Sequence, residues 1–281
     1  MSASAASVHP AGRAVGSPAA RHRRFARWRP PTAIAAVVLG VVGGQAAALA
    51  LVFLAGSRDR VNVFDGIALV LGDAILLTVV VLFARRGANL APATLGIRRT
   101  RFWRAVGWAL LIFIGTLALE GIWSLIVGGS GTRRDAGGAP GGSPSALVVV
   151  LVMFGVAVTA PIAEEIAFRG YLFAALTSWR GPWIATLVTA VLFGAAHIAA
   201  APPQMLPALA AFGFGACMLY WFTGSLLPGV GIHALNNGLV MGALAGFSWQ
   251  VPLIAIAAVV LSICLLLPFA RERAPVRRHA A

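Results

Sequence analysis

Three apolar strings between residues 160 and 238 carry groups that could do chemistry together: Glu164, Glu165 and Arg169 in APIAEEIAFRGYLF, His197 in LFGAAHIAA, and His233 with Asn237 in GVGIHALNNG. On a helix Glu165 and Arg169 lie one turn apart with the acid N-terminal to the base, so this pair can neutralise itself. Glu164 is turned about 100° from its neighbour and is left without an obvious partner. A carboxylate in that position suits general acid/base work. Pro161 removes one backbone hydrogen bond just before it and is expected to bend the helix at the site. Phe193 and His197, like His233 and Asn237, are four residues apart and project from one helix face in each case. The other histidines, His9, His22 and His279, fall in the terminal tails. A lone buried histidine is ordinarily a structural hydrogen-bonder, but two of them beside a Glu-Glu-Arg group point to chemistry on water or to a metal.

The elements that must position these groups are helices in lipid. Hydrophobic residues make up 59% of the 281 positions and charged ones 11%, where a soluble domain has about a quarter charged. A segment exposed to lipid must satisfy its own backbone hydrogen bonds, so each long apolar run reads as a helix of roughly 20 residues. Eight runs are expected, near 33–55, 63–84, 104–127, 145–178, 182–200, 206–223, 226–245 and 250–270, the fourth too long for one simple crossing. The fold class is therefore all-α and polytopic. Each charge at the bilayer centre costs about 2.5–3.5 kcal/mol, so three in one short segment need a function.

Around the bundle, expected over 31–270, residues 1–30 and 271–281 form basic tails and 128–144 (GGSGTRRDAGGAPGGSP) a Gly-rich loop that cannot bury a core. All basic residues are arginine. Placed on the eight-span scheme, seventeen lie on one side and four on the other, with Arg169 inside a span. This bias puts both termini in the cytoplasm and the protein in the cell membrane. The same scatter, over tails and short connections, gives no footprint for nucleic acid. The first run is longer than a cleavable leader's apolar core, so it reads as a retained span. Cys217 and Cys264 sit in apolar runs and read as small buried hydrophobes.

The strings EEIAFR at 164–169, FGAAH at 193–197 and HALNN at 233–237, in that order and on successive apolar segments, resemble the EExxxR, FxxxH and HxxxN pattern of the CAAX-protease and bacteriocin-processing (CPBP or Abi) family. The likeness covers 145–250, the expected catalytic core, and TLGIRR at 94–99 also looks like the family. It implies an intramembrane endopeptidase with a conical cavity inside the bundle, reached from the cytoplasm and laterally from lipid. It also implies that Glu164 and His197 activate water while His233 and Asn237 stabilise the oxyanion, with Glu165, Arg169 and Phe193 in support. The substrate would be a membrane-tethered or hydrophobic peptide or protein, processed at a CAAX-type C-terminus or as a bacteriocin-like precursor. The family is often labelled a metalloprotease, and Glu164, His197 and His233 could ligate zinc. No HExxH is present, and a metal-free glutamate mechanism explains the same residues and is the reading preferred.

Other protease designs fail on the sequence. Gly128-Gly129-Ser130-Gly131 matches a GxSG string, but in a Gly-rich loop with no helix to hold the serine. Asp73 lacks the GxGD context. The alternatives from another class are a transporter, using Asp73 and Glu120 as ionisable groups at membrane depth, or a non-catalytic membrane scaffold. The plainer reading of those two acids is a pairing with Arg169 or a polar contact between helices. Depth counting along the spans puts Glu164 and His197 at different levels, a conflict that the structure must resolve.

Overall fold

A computed structural model describes residues 28–56, 61–127 and 145–273. The expectations for most of the N-terminal tail, for Arg58 and Arg60, for the loop 128–144 with its GGSG string, and for residues 274–281 lie outside the described residues. Helix α1 spans Pro30–Leu54, α2 Val63–Gly87 and α3 Phe102–Ile126. A continuous helical stretch follows, built from α4 (Ala146–Phe154), a π-helical segment Gly155–Thr159, α5 (Ala160–Glu164), a second π-helical segment Glu165–Phe173, and α6 (Ala174–Ala196). Helices α7 (Leu206–Thr223), α8 (Leu227–Leu244) and α9 (Val251–Leu266) complete the bundle. The all-α expectation holds, and among the described residues six helical stretches are long and apolar enough to cross a membrane.

Two of the eight expected runs are absent from those six for distinct reasons. The fourth and fifth are joined in the stretch Ala146–Ala196, which is not one rod: Gly181 leaves the helix at φ 79°, ψ 175°, with Pro182 after it. This left-handed region suits glycine because it has no Cβ. A straight helix would separate Glu164 from His197 by about 50 Å, yet their side chains lie 3.9 Å apart, so the chain doubles back at this glycine. Counted from the turn, Glu164 is 17 residues before Gly181 and His197 is 16 after it. Equal arms bring both to one depth, and the conflict vanishes. The other missing run, α8, is helical but is interrupted by glycines and carries His233, Asn236 and Asn237.

Burial is inverted relative to a soluble protein. Large apolar side chains such as Leu54, Trp103 and Leu125 face outward, while Glu165, Arg169, Thr186, Thr189 and Ser225 are buried. Lipid offers apolar side chains no penalty for exposure, so close backbone packing between small residues holds such helices together. In α1, Gly44 packs so tightly on α2 that a Cβ there would sit 2.6 Å from the Gly72 carbonyl oxygen. Helix α2 starts with a reciprocal cap, in which the Asn62 side chain accepts from the Phe64 N–H and the Asp65 carboxylate accepts from the Asn62 N–H at 2.6 Å. Asp65 is thereby a capping residue.

At one end of the bundle, the Trp28 indole donates to the Ala84 carbonyl at 3.0 Å, and the TLGIRR segment closes over α7 and α8. There the Leu226 N–H donates to the Gly96 carbonyl at 2.9 Å, Ser225 Oγ donates to the Arg98 carbonyl, and the Arg99 N–H donates to the Glu272 carbonyl at 2.8 Å. Arg29, Arg85, Arg86, Arg98, Arg99, Arg101, Arg271 and Arg273 therefore collect at this one end, the asymmetry that the arginine distribution implies.

Candidate active site

The site forms where the hairpin about Gly181 brings Glu164 to His197 and where α8 lays His233 across both. His197 Nε2 lies 3.9 Å from Glu164 Oε1, and His233 Nε2 lies 3.7 Å from Glu164 Oε2. Both separations exceed a direct hydrogen bond, which leaves the carboxylate and the two imidazole nitrogens facing one another without direct contact. Glu164 Oε2 is shielded from solvent and has no hydrogen-bond partner among the described residues. His197 Nδ1 is 2.8 Å from the Phe193 carbonyl oxygen. A carbonyl only accepts, so this contact puts the ring hydrogen on Nδ1, and the neutral ring presents its Nε2 lone pair to Glu164. His233 Nδ1 approaches Glu165 Oε1 at 3.3 Å, which orients the second ring the same way.

Behind these groups lies a fully buried ion pair. Arg169 Nη1 is 2.8 Å from Glu165 Oε1, and Nη2 donates to the Gly213 carbonyl of α7 at 3.2 Å. The guanidinium also lies 4.4 Å above the Phe193 ring. Phe193 in turn touches Phe168 edge-on at 5.1 Å and sits 4.9 Å from the His197 ring and 5.9 Å from the His233 ring. One aromatic ring thus joins the cation, both imidazoles and the helix of Glu164. Gly229 of α8 leaves room for Glu165, because a Cβ there would come 2.7 Å from Glu165 Oε2.

The π-helical segments explain how Pro161 is accommodated. Ala160 N–H bonds to the Gly155 carbonyl, five residues back. In that register the next donor would be residue 161, which is proline and has no N–H, so the Val156 carbonyl is left open. Asn237 Nδ2 donates to it at 2.8 Å. The amide of the HALNN string therefore ties α8 to the turn just before Glu164, and its second N–H remains for another acceptor.

Glu164, Phe193, His197, His233 and Asn237 line a cavity of about 470 Å³ together with α1 and α2 residues. Of its residues Gln45 carried no strong sequence signal, whereas Asp73 and Glu120 stood out as acids at membrane depth. Gln45 Nε2 donates to the Ala196 carbonyl at 2.9 Å and so braces the helix end beside His197. Thr159 Oγ1 bonds Asp73 Oδ2 at 2.6 Å. Of the two partners foreseen for Asp73, the polar contact between helices is present, while Arg169 is committed to Glu165 and Gly213. Glu120 reaches the same cavity from α3. The available signal was a polar residue isolated in an apolar span, which marks Gln45 and Asp73 alike but does not say what they meet. Among the described residues, no three His, Cys, Asp or Glu side chains are grouped so as to hold a metal ion.

No curated protein and no solved structure matches the chain. Residues 145–239 match the family model described as Type II CAAX prenyl endopeptidase Rce1-like. The match contains Glu164, Glu165, Arg169, Phe193, His197, His233 and Asn237, and it stops short of the TLGIRR segment at 94–99. The chain is a multi-pass membrane protein whose site-bearing segment is similar to the Rce1-like CAAX prenyl endopeptidases, as the three motifs imply.

Proposed function

We propose that the protein is an intramembrane endopeptidase in which Glu164 and His197 activate a water for attack on a peptide carbonyl. The observation that carries this reading is the pair of gaps, 3.9 and 3.7 Å, between one carboxylate and two imidazole nitrogens at the wall of a common cavity. Water held there donates one hydrogen to Glu164, which takes the proton as the oxygen attacks. The oxyanion that forms is met by the second N–H of Asn237 and by His233 in its doubly protonated form, with Nδ1–H held on Glu165 and Nε2–H turned to the cavity. The proton on Glu164 then passes to the departing amine, so the carboxylate serves first as base and then as acid.

Glu165 and Arg169 hold the two helices and His233 in register, and Phe193 supports both rings. On this reading the course is metal-free, with neither zinc nor another cofactor taking part, because a carboxylate base and two imidazoles suffice for the proton transfers. The substrate is a membrane-tethered or hydrophobic peptide or protein, cleaved in CAAX-type C-terminal processing or as a bacteriocin-like precursor, with the enzyme in the plasma membrane and both termini cytoplasmic. Comparing the terminal peptides of membrane proteins from cells with the wild-type chain and cells with Glu164→Gln tests it. Peptides that vanish with the substitution support the protease, whereas identical sets would leave the transporter or scaffold reading in its place.

A further inference from the structure

The ionisable groups on the cavity wall are Asp73, Glu120, Glu164, His197 and His233. Among the described residues no arginine lines it, and the chain contains no lysine. Arg169, the buried cation closest in sequence to the site, is turned away into its pair with Glu165. A substrate group entering this space thus meets carboxyl groups with no fixed cation. Two of these carboxyls, Asp73 and Glu120, have no part in water activation. Asp73 is fixed in direction by Thr159, one of whose neighbours, Ala160, shares the cavity wall with Glu164. Glu120 has no hydrogen bond or ion pair among the described residues that would occupy it.

Thr159, which holds the Asp73 carboxyl, is five residues before Glu164, about 7 Å along the helix axis. That is roughly two residues of an extended peptide. Like charges close together in a poorly solvated space repel, and opposite ones attract more strongly there than in water. A free carboxylate is therefore disfavoured beside Asp73, and a basic side chain is favoured. Peptides tethered to a membrane carry arginine and lysine next to the anchor, so this chemistry is available where such a substrate lies.

Resting on the protease reading above, we propose that the cavity selects a membrane-tethered peptide with a basic side chain about two residues from the cleaved bond, and that Asp73 is the specificity residue that receives it, with Glu120 as a second carboxyl on the path. The preference concerns an internal cationic segment, and a terminal carboxylate is not its recognition element.

The full-length protein in liposomes of neutral lipid provides the test. The probes are acyl-anchored peptides, randomised except for one position that is Lys, Gln or Glu, scanned over three residues on each side of the cut. Wild type is expected to cleave the Lys peptides about tenfold faster than the Glu peptides at the matching position, a factor equivalent to about 1.4 kcal/mol. Asp73→Asn keeps an acceptor for Thr159 and should bring that ratio to within about threefold. Glu120→Gln removes no contact and should lower it partially. Equal cleavage of Lys and Glu peptides by wild type, or a ratio unchanged in both variants, overturns the proposal. Binding of fluorescent versions of the same peptides to the Glu164→Gln protein separates the two layers. A Lys preference in binding without any cleavage by wild type sinks the protease reading and leaves the charge selection standing, while cleavage with no preference sinks the selection alone.

Discussion

Replacing Asn237 by Ala removes the donor to a carbonyl that Pro161 has already deprived of its backbone partner. The Val156 carbonyl would then face a half-buried, lipid-surrounded site with no partner, a loss of about 1–3 kcal/mol. For a chain of this size each kcal/mol corresponds to roughly 2–4 °C, so the melting temperature in detergent should fall by several degrees. The same contact predicts a rescue. Pro161→Ala restores an N–H one residue beyond the Ala160 bond to Gly155, within reach of Val156. In that background Asn237→Ala should cost less than half as much, a coupling of about 1 kcal/mol or more between residues on different helices. Thermal unfolding of the four proteins, wild type, each single variant and the double variant, gives the coupling directly. Equal losses in both backgrounds would refute the account of the open carbonyl. Cleavage assays on the same four proteins then divide the roles of Asn237, since restored stability with persistently low turnover assigns its second N–H to the reaction.

Other outcomes follow from the same geometry. Either Glu165→Gln or Arg169→Met leaves one buried charge unpaired and should destabilise by about 3–5 kcal/mol, while the double variant should lose less than the two singles combined, as read by thermal unfolding. Gly44→Leu forces side-chain atoms against the Gly72 carbonyl and should cost about 1–3 kcal/mol in the same measurement. His197→Ala should abolish cleavage of a membrane-tethered peptide while the protein still inserts and unfolds at a near-normal temperature, because His197 is only partly buried. Prolonged treatment with a strong chelator should leave turnover within about twofold; loss of turnover that returns with zinc would reverse the metal-free reading.

Much of the fold was legible because lipid imposes a simple rule on composition, and every apolar run expected to be a helix is one. What was not legible was the depth at which the runs bring their side chains together. The hairpin at Gly181, whose φ is 79°, falls in the gap expected between the runs 145–178 and 182–200, but counting depth from the span ends misplaced His197 relative to Glu164. The acid, the imidazoles and the amide were readable because each is costly in an apolar span and they recur at helical spacing. Their second partners were not. The Asn237 contact depends on a π-helical register, and the Gln45 contact on a tertiary meeting between α1 and the end of α6, neither of which any local pattern encodes. Asp73 shows the limit most clearly. An isolated acid at membrane depth announces itself, yet its choice of Thr159 over Arg169 depends on which helix face packs where.

The account stands on Glu164 as the group that takes a proton from water. Its most direct measurement is the single-turnover rate of purified Glu164→Gln in liposomes, on a membrane-tethered peptide that wild type cleaves, with binding and melting temperature recorded on the same preparations. Glutamine keeps the shape and loses the base, so the rate should fall by about a thousandfold or more with binding and stability unchanged. A rate within about tenfold of wild type would contradict it.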